Sequence, residues 1–168
     1  MSATVEIDEQ NGPVGSPTLT HNISNSNMGS ADKTNLNPVT YPIAAGGSSY
    51  EKWQLLHVTD MGSSSKIDNI QVWRTGSLGS GASHMTNAKT SGYSGVSYAT
   101  PTAALSAIAN SSMPDSTPGA ANLGIGGSLG GSLTSPGYSD FLVHQIQTTR
   151  SALTGSVTTI NYQYDETA

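Results

Sequence analysis

The sequence contains very few charged residues. Its 168 residues include 6 Lys or Arg and 11 Asp or Glu, together 10%, where a soluble domain commonly carries about 25%. Ser, Thr, Asn and Gly take their place, and such residues favour strands and turns over helices. A low charge also weakens the repulsion that keeps copies of a protein apart. The composition therefore indicates a β protein that packs against neighbouring subunits, rather than a freely soluble enzyme.

Cysteine is absent, which excludes disulfides, thiolate metal sites and cysteine nucleophiles. The six basic residues are scattered and the net charge is −5, so nucleic acid is not expected as a partner, because phosphate contacts need clustered Lys and Arg. No apolar run approaches the roughly 18–20 residues of a membrane span. The start MSATVEIDEQ has neither the basic nor the apolar region of a secretion signal. We expect synthesis in the cytoplasm and no membrane partner.

Alternating apolar and polar residues predict seven or eight short strands in one domain, residues 1–168. The strongest strand is 50–59, whose apolar residues on both faces are typical of a central strand or one between two layers. Residues 3–7 are predicted as an edge strand, and 103–109 are the one helix candidate. The expected fold is a single-domain β-sandwich, with the jelly roll as a candidate form. The other predicted strands are 17–24, 38–43, 66–74, 97–100, 138–149 and 156–164.

Two segments lack the apolar alternation of a sheet strand: the extended N-terminal segment 1–16 and the Gly-rich loop 121–137. Segments that bury little apolar surface stay mobile unless a partner orders them. We therefore expect both segments to contact neighbouring chains. The predicted contacts of the loop are its apolar side chains, Leu123, Ile125, Leu129 and Leu133.

The Gly-rich loop also contains a formal match to a catalytic motif. Residues 126–130, GGSLG, fit G-x-S-x-G, but a nucleophile elbow needs a strand before the serine and a helix after it. A phosphate-binding loop would need a Lys-Ser/Thr ending in a strand–helix setting, which is missing. The tandem GGSLGGSL is typical of a turned surface loop. We expect no catalytic residue and no enzyme activity.

The four histidines show no metal-binding spacing. They form neither H-x-H nor H-E-x-x-H, and His57 and His144 lie in strong strands, where a hydrogen-bonded sheet histidine is favoured over a ligand. Asp60, Asp68 and Asn69 flank one turn and offer oxygen ligands of the kind that Ca²⁺ uses. Hydrogen bonding within the turn is the favoured interpretation, and the cation stays an open alternative. The sequence predicts no cofactor and no metal.

Aromatic residues allow two interpretations. On a β-sandwich they can stack on sugar rings, which would make the protein a glycan-binding module, or they can fill the core. Trp53 and Trp73 lie among apolar strand residues, so the core is favoured for both. Tyr93 and Tyr98 lie in loose, polar sequence and are the better candidates for exposed partner contacts.

Three blocks carry a resemblance: YEKWQLLHVTDMGSSSKIDNIQVWRTG (50–76), GAANLGIGGSLGGSLTSPGYSDFLVHQIQT (119–148) and the ending NYQYDETA. Their texture resembles small all-β virion structural proteins of tailed bacteriophages. The resemblance implies a homo-oligomer in the virion, made in the host cytoplasm and bound to the major capsid protein or other virion subunits. A capsid decoration (cement) protein is the first expectation. A tail or baseplate component and a glycan-binding module are the alternatives.

Overall fold

Strands are the only regular secondary structure in the part of the chain that is described. A computed structural model describes residues 1–153 and 157–168, and about 36% of these residues lie in strands or isolated β-bridges. All strand pairs are antiparallel, so the all-β prediction is confirmed. The strands are β1 (Thr4–Asn11), β2 (Thr18–Thr20), β3 (Lys52–Asp60), β4 (Lys66–Thr75), β5 (Ala82–Thr86), β6 (Ser111–Ser112), β7 (Gly137–Tyr138), β8 (Leu142–Thr148) and β9 (Thr159–Thr167).

Seven strands form a main sheet in the order β2-β1-β3-β8-β5-β6, with β7 also paired to β3. Strands β4 and β9 form a separate two-stranded sheet. Strand β3 lies inside the main sheet, with β1 on one side and both β7 and β8 on the other. The prediction that 50–59 forms a central strand is therefore confirmed.

The two faces of β3 belong to two different cores. Leu56 and Val58 pack with buried residues of β4 in the larger cluster. Trp53 packs from the opposite face with Val143 and the partly buried Phe141 in a smaller cluster, which residues from 96–109 cover. This arrangement follows from the alternation of side chains along a strand. The core position predicted for Trp53 is confirmed, since it is fully buried, whereas Trp73 is only partly buried.

An irregularity in β4 turns three apolar side chains into the same core. Strict alternation along the strand would place Ile67 and Ile70 on opposite faces. The pairing of β4 with β9 shifts register between Asp68 and Gln71, and Asn69 has a positive φ of 52°. The bulge adds one residue to the repeat, so Ile67 and Ile70 both enter the larger core with Val72.

Of the remaining predicted strands, three are present in the structure and three are present only in part or not at all. Residues 66–74 correspond to β4, 138–149 to β7 and β8, and 156–164 to β9, although Ser156 lies outside the described residues. Only Thr18–Thr20 of 17–24 is a strand, while 38–43 and 97–100 contain none, and β5 was not predicted.

The helix prediction for 103–109 was wrong for a local reason. The hydroxyl of Ser106 accepts hydrogen bonds from the backbone N–H groups of Ile108 (3.1 Å) and Ala109 (2.8 Å). A serine that bonds to nearby backbone N–H groups in this way competes with helical hydrogen bonding. The segment consequently forms bends instead of a helix.

The N-terminal segment 1–16 is part of the protein's own sheet. Residues 4–11 form β1, which pairs with both β2 and β3, so the edge strand predicted at 3–7 is instead an internal one. Met1 is held by the β3–β4 turn, since its carbonyl accepts a hydrogen bond from the backbone N–H of Ser63 at 2.7 Å. The expectation that this segment needs a neighbouring chain for order was wrong.

The Gly-rich loop 121–137 is likewise anchored in its own chain. Leu123 and Ile125 are buried in the larger core, so they cannot supply the surface contacts predicted for them. Leu133 is half-buried against that core and bridges to Ile67 of β4. Leu129 is half-buried near the exposed tip. Sequence reasoning missed the packing because large apolar residues are widely spaced in this loop.

Candidate metal centre

Strand β1 separates its apolar from its acidic side chains. Val5 and Ile7 pack against the larger core. Glu6 and Asp8 alternate with them and therefore lie on the opposite face of the main sheet. Asp8 is completely buried, and the Glu6 side chain is 22% exposed. The strand thus carries two carboxylates side by side on one face.

Antiparallel pairing brings a histidine opposite these carboxylates. His57 of β3 is the register partner of Glu6, and on its other side it pairs with Tyr138 of β7. The rings of His57 and Tyr138 stack at 4.1 Å with 21° between their planes. This stacking limits rotation of the imidazole while its Nδ1 faces the carboxylates.

A second histidine comes from the turn that follows β2. Asn22 has a positive φ of 48°, a conformation that asparagine adopts more readily than most residues. Its backbone N–H donates to Asp8 Oδ1 at 2.9 Å, and the N–H of Ile23 donates to the carbonyl of Ile7. These bonds hold His21 beside Asp8, with its ring 55% exposed.

The four side chains converge on a small volume. Asp8 Oδ2 lies 2.6 Å from Nδ1 of His21 and 2.9 Å from Nδ1 of His57. Glu6 Oε1 lies 3.1 Å from Nδ1 of His57 and 3.6 Å from Nδ1 of His21. One donor atom from each residue can be chosen so that all four lie within 4.8 Å of one another. We call these four residues the EDHH cluster.

The EDHH cluster concentrates negative charge. In the described part of the chain, its carboxylates form ion pairs with imidazoles alone, not with Lys or Arg. The adjacent Glu9 differs, since Lys52 Nζ lies 2.8 Å from its Oε1. Partial burial, followed by the negative charges of Asp8 and Glu6, raises the pKa of the Tyr138 hydroxyl. The arrangement offers two nitrogen and two oxygen donors to a cation.

The Asp60 turn does not form a comparable site. Asp60 Oδ1 accepts the backbone N–H of Gly62 at 2.8 Å, which confirms the predicted hydrogen bonding within the turn. Asp68 pairs with Lys66, and the Asn69 amide donates to Asp165. Within residues 1–153 and 157–168, the EDHH cluster is the one group of His, Asp and Glu donors that converges.

The predicted tyrosine contacts are partly buried and bonded within the chain. The hydroxyl of Tyr93 donates to Asp140 at 2.9 Å, and that of Tyr98 donates to the carbonyl of Gly12 at 2.6 Å. Burial raises the pKa of Tyr98 to about 12, with a further contribution from the charge of Asp32. Tyr98 also meets Trp53 edge to face at 5.2 Å. Both side chains stabilise the protein's own loops.

Sequence reasoning missed the EDHH cluster. His57 was interpreted as a hydrogen-bonded sheet histidine, and it does lie within 3.1 Å of carboxylate oxygens. The available signal was the alternation of Glu6 and Asp8 in a strand, which places two acids on one face. Linking them to His21 and His57 required the register of three strands, which the spacing of residues does not reveal.

Ser128 of the GGSLG match forms contacts typical of a turn. Its Oγ accepts the backbone N–H of Gly130 at 3.2 Å. Its backbone N–H donates to the carbonyl of Ile125, whose own N–H bonds to the carbonyl of Ser128. The motif therefore lies in a hydrogen-bonded turn, as the sequence predicted.

Comparisons with protein-family models, curated proteins and solved structures find no match to this chain. In the described residues no helix has the length and apolar character needed to cross a membrane.

Proposed function

We propose that the protein is a virion structural protein, and specifically a capsid decoration (cement) protein that binds between capsomers and stabilises the shell. The observation that carries the proposal is the low charge: 10% charged residues over a chain rich in Gly, Ser and Asn. Many copies can lie close together on a particle when few charges repel. The resemblance of the three blocks in the last two thirds of the chain supports the same role.

The fold is compatible with this role. We infer that the β4–β9 sheet and the main sheet are the two layers of a β-sandwich, because residues of both share the larger core. The division into seven and two strands differs from the eight strands and two Greek keys of a jelly roll. The proposal is therefore a β-sandwich without the jelly-roll form.

Exposed loops supply the proposed contact surface. Val39 is 87% exposed and Leu105 is 74% exposed, and each lies in a segment outside the strands. The exposed part of the Gly-rich loop, with Leu129 at its tip, remains a proposed contact. Since few ion pairs would form, attachment should depend only weakly on salt. Binding to the assembled shell alone would raise the stability of the shell by mass action.

Two concavities of the described surface have linings without a carboxylate or an imidazole. One, of about 390 Å³, is open and is lined by small and polar residues together with Leu105. A second, about 190 Å³, is lined by residues such as Asn87, Lys89 and Ile108.

The test is co-sedimentation of the recombinant protein with particles that lack it. We expect the protein to bind purified heads, to resist a modest rise in salt and to raise the temperature at which heads release their genome. Val39→Asp should weaken binding, while Thr40→Asp at the neighbouring exposed position should not. Absence of the protein from purified particles, or removal by modest salt, would contradict the proposal.

Parallel measurements separate the alternatives. Binding to isolated tails but not to heads would replace the capsid role with the tail or baseplate role. Binding on a glycan array without particle association would favour the glycan-binding module. The structure-based expectation for the array is no binding, because the hydroxyls of Tyr93 and Tyr98 are bonded within the chain.

A further inference from the structure

We propose that the EDHH cluster, Glu6, Asp8, His21 and His57, is a binding site for a divalent first-row transition metal ion of the zinc type. The proposal does not depend on the proposed virion role. It rests on the chemistry of the donors, their separations and two carboxylates that no Lys or Arg of the described residues pairs with.

The donor set selects the class of ion. Two imidazole nitrogens with two carboxylate oxygens are ligands that Zn²⁺ and neighbouring transition metals accept. Ca²⁺ takes six to eight oxygen ligands and Mg²⁺ prefers oxygen in octahedral geometry. Two nitrogen donors therefore argue against both alkaline-earth ions.

The separations suit a four-coordinate site. With metal–ligand bonds of about 2.0–2.1 Å, neighbouring donors of a tetrahedral zinc site lie about 3.3–3.4 Å apart. The four contacts between carboxylate oxygen and imidazole nitrogen range from 2.6 to 3.6 Å, and one donor atom from each of the four residues lies within 4.8 Å of the other three. The shortest contact, 2.6 Å, joins Asp8 to His21. The His21 ring is 55% exposed, so it can move away from Asp8 by the distance, less than about 1 Å, that a bound metal ion would require.

Two ligands are oriented by neighbouring groups. The backbone N–H of Asn22 donates a hydrogen bond to Asp8 Oδ1, so that Oδ2 faces the histidines. The ring of Tyr138 stacks on that of His57. Such supporting contacts commonly orient metal ligands. They also define a site that opens to solvent at His21, where an ion can enter.

A buried carboxylate whose partners are hydrogen bonds and imidazoles, without a permanent cation, is costly to keep charged. Asp8 is fully buried, and in the described residues neither Lys nor Arg pairs with it or with Glu6. A divalent ion would neutralise the two carboxylates. It would also join three separate segments, β1, the turn after β2 and β3. Bound metal should therefore stabilise the attachment of the N-terminal strand, because ligand binding to the folded state alone raises its stability.

The experiment uses the full chain after treatment with EDTA and removal of the chelator. Calorimetric titration with ZnCl₂ should give one site per chain, and Zn²⁺ should raise the melting temperature, whereas CaCl₂ and MgCl₂ at the same concentration should not. Co²⁺ should produce the visible absorption of a tetrahedral complex with nitrogen and oxygen ligands. This spectrum distinguishes coordination in the cluster from loose association with the surface.

Variants locate the site. His21→Ala removes an exposed ring, and Glu6→Gln removes one charge with little change in shape. Each variant should weaken Zn²⁺ affinity about tenfold or more. Removal of a group that only supports a metal ligand already costs about tenfold or more in affinity, and these variants change the ligands themselves. Asp115→Asn, at an exposed loop carboxylate, is the matched control and should bind as the native chain does.

Three results would overturn the proposal. The first is no Zn²⁺ binding by the native chain. The second is equal affinity in Glu6→Gln and Asp115→Asn, since binding would then lie elsewhere. The third is an equal stabilisation by Ca²⁺ and Zn²⁺. None of them bears on association with particles, so the virion role stands or fails separately.

Discussion

His84 of β5 and His144 of β8 form a buried imidazole pair, with Nε2 of His84 2.9 Å from Nδ1 of His144. Among residues 1–153 and 157–168, their other ring nitrogens, Nδ1 of His84 and Nε2 of His144, have no hydrogen-bond partner. Whichever ring donates the shared proton, one buried N–H remains unpaired. Protonation of either ring would bury a further N–H and a positive charge, and both are costly without partners.

This pair makes stability sensitive to acid. Burial, then the charge of Arg74, lowers the pKa of His84 from 6.5 to about 4. Burial, then His84 and Lys52, lowers the pKa of His144. Between pH 6.5 and about 4 the unfolded chain binds protons that the folded chain does not, so stability is complete above pH 6.5 and falls with pH across this window. For His84 alone the loss is about 3 kcal/mol at pH 4.

Urea unfolding at a series of pH values measures this effect. The variant His84→Leu/His144→Leu should lose less stability between pH 7 and pH 4 than the native chain does. The comparison of slopes separates the pair from other titrating groups. Parallel curves for the two proteins would refute the assignment.

Lys52 and Glu9 form a buried ion pair, and each side chain is at most 1% exposed. Lys52→Met should destabilise the protein by about 3–5 kcal/mol, because it leaves the Glu9 carboxylate buried without its partner. The control is Lys66→Met, which breaks a partly exposed pair with Asp68 and should cost at most about 1 kcal/mol. Tryptophan fluorescence, to which the buried Trp53 contributes, reports both unfolding curves. Similar losses in the two variants would contradict this account.

Deletion of residues 2–12 should prevent stable folding. The deletion removes β1, and with it the pairing partner of both β2 and β3 and the apolar side chains of Val5 and Ile7. Circular dichroism and thermal unfolding test the truncated chain. A cooperative transition at the native temperature would show that β1 is dispensable.

Gly124 should not tolerate a side chain. A methyl group there would lie 2.6 Å from Cε1 of Tyr93 and 2.7 Å from the carbonyl oxygen of Ser128, so Gly124→Ala should cost about 1–3 kcal/mol through overpacking. Gly119→Ala is the matched control, since nothing lies within 4 Å of the added methyl. Thermal unfolding of the two variants tests this prediction. Equal melting temperatures would show that the loop accommodates the Gly124→Ala methyl group without loss of stability.

The sequence by itself determined the all-β class and the positions of β3, β4, β8 and β9. Alternation along a strand is a local property, and large apolar residues such as Trp53, Leu56 and Val72 mark it clearly. Prediction was weaker where polar side chains are buried, as in β5 with His84 and Thr86, because hydrogen bonds rather than apolar surface compensate their burial. The sequence of a buried polar strand therefore has much the same residue pattern as that of a loop.

Only the tertiary structure decided what the polar residues do. Glu6 meets His57 because β1 and β3 pair in one antiparallel register, and a slip of one residue would turn every side chain to the other face. His21 joins them through the turn at Asn22. Strand register and turn geometry depend on the packing of the whole core, which involves contacts between residues far apart in the sequence. The sequence therefore determined the strands, whereas the three-dimensional fold brought four distant side chains to one cluster.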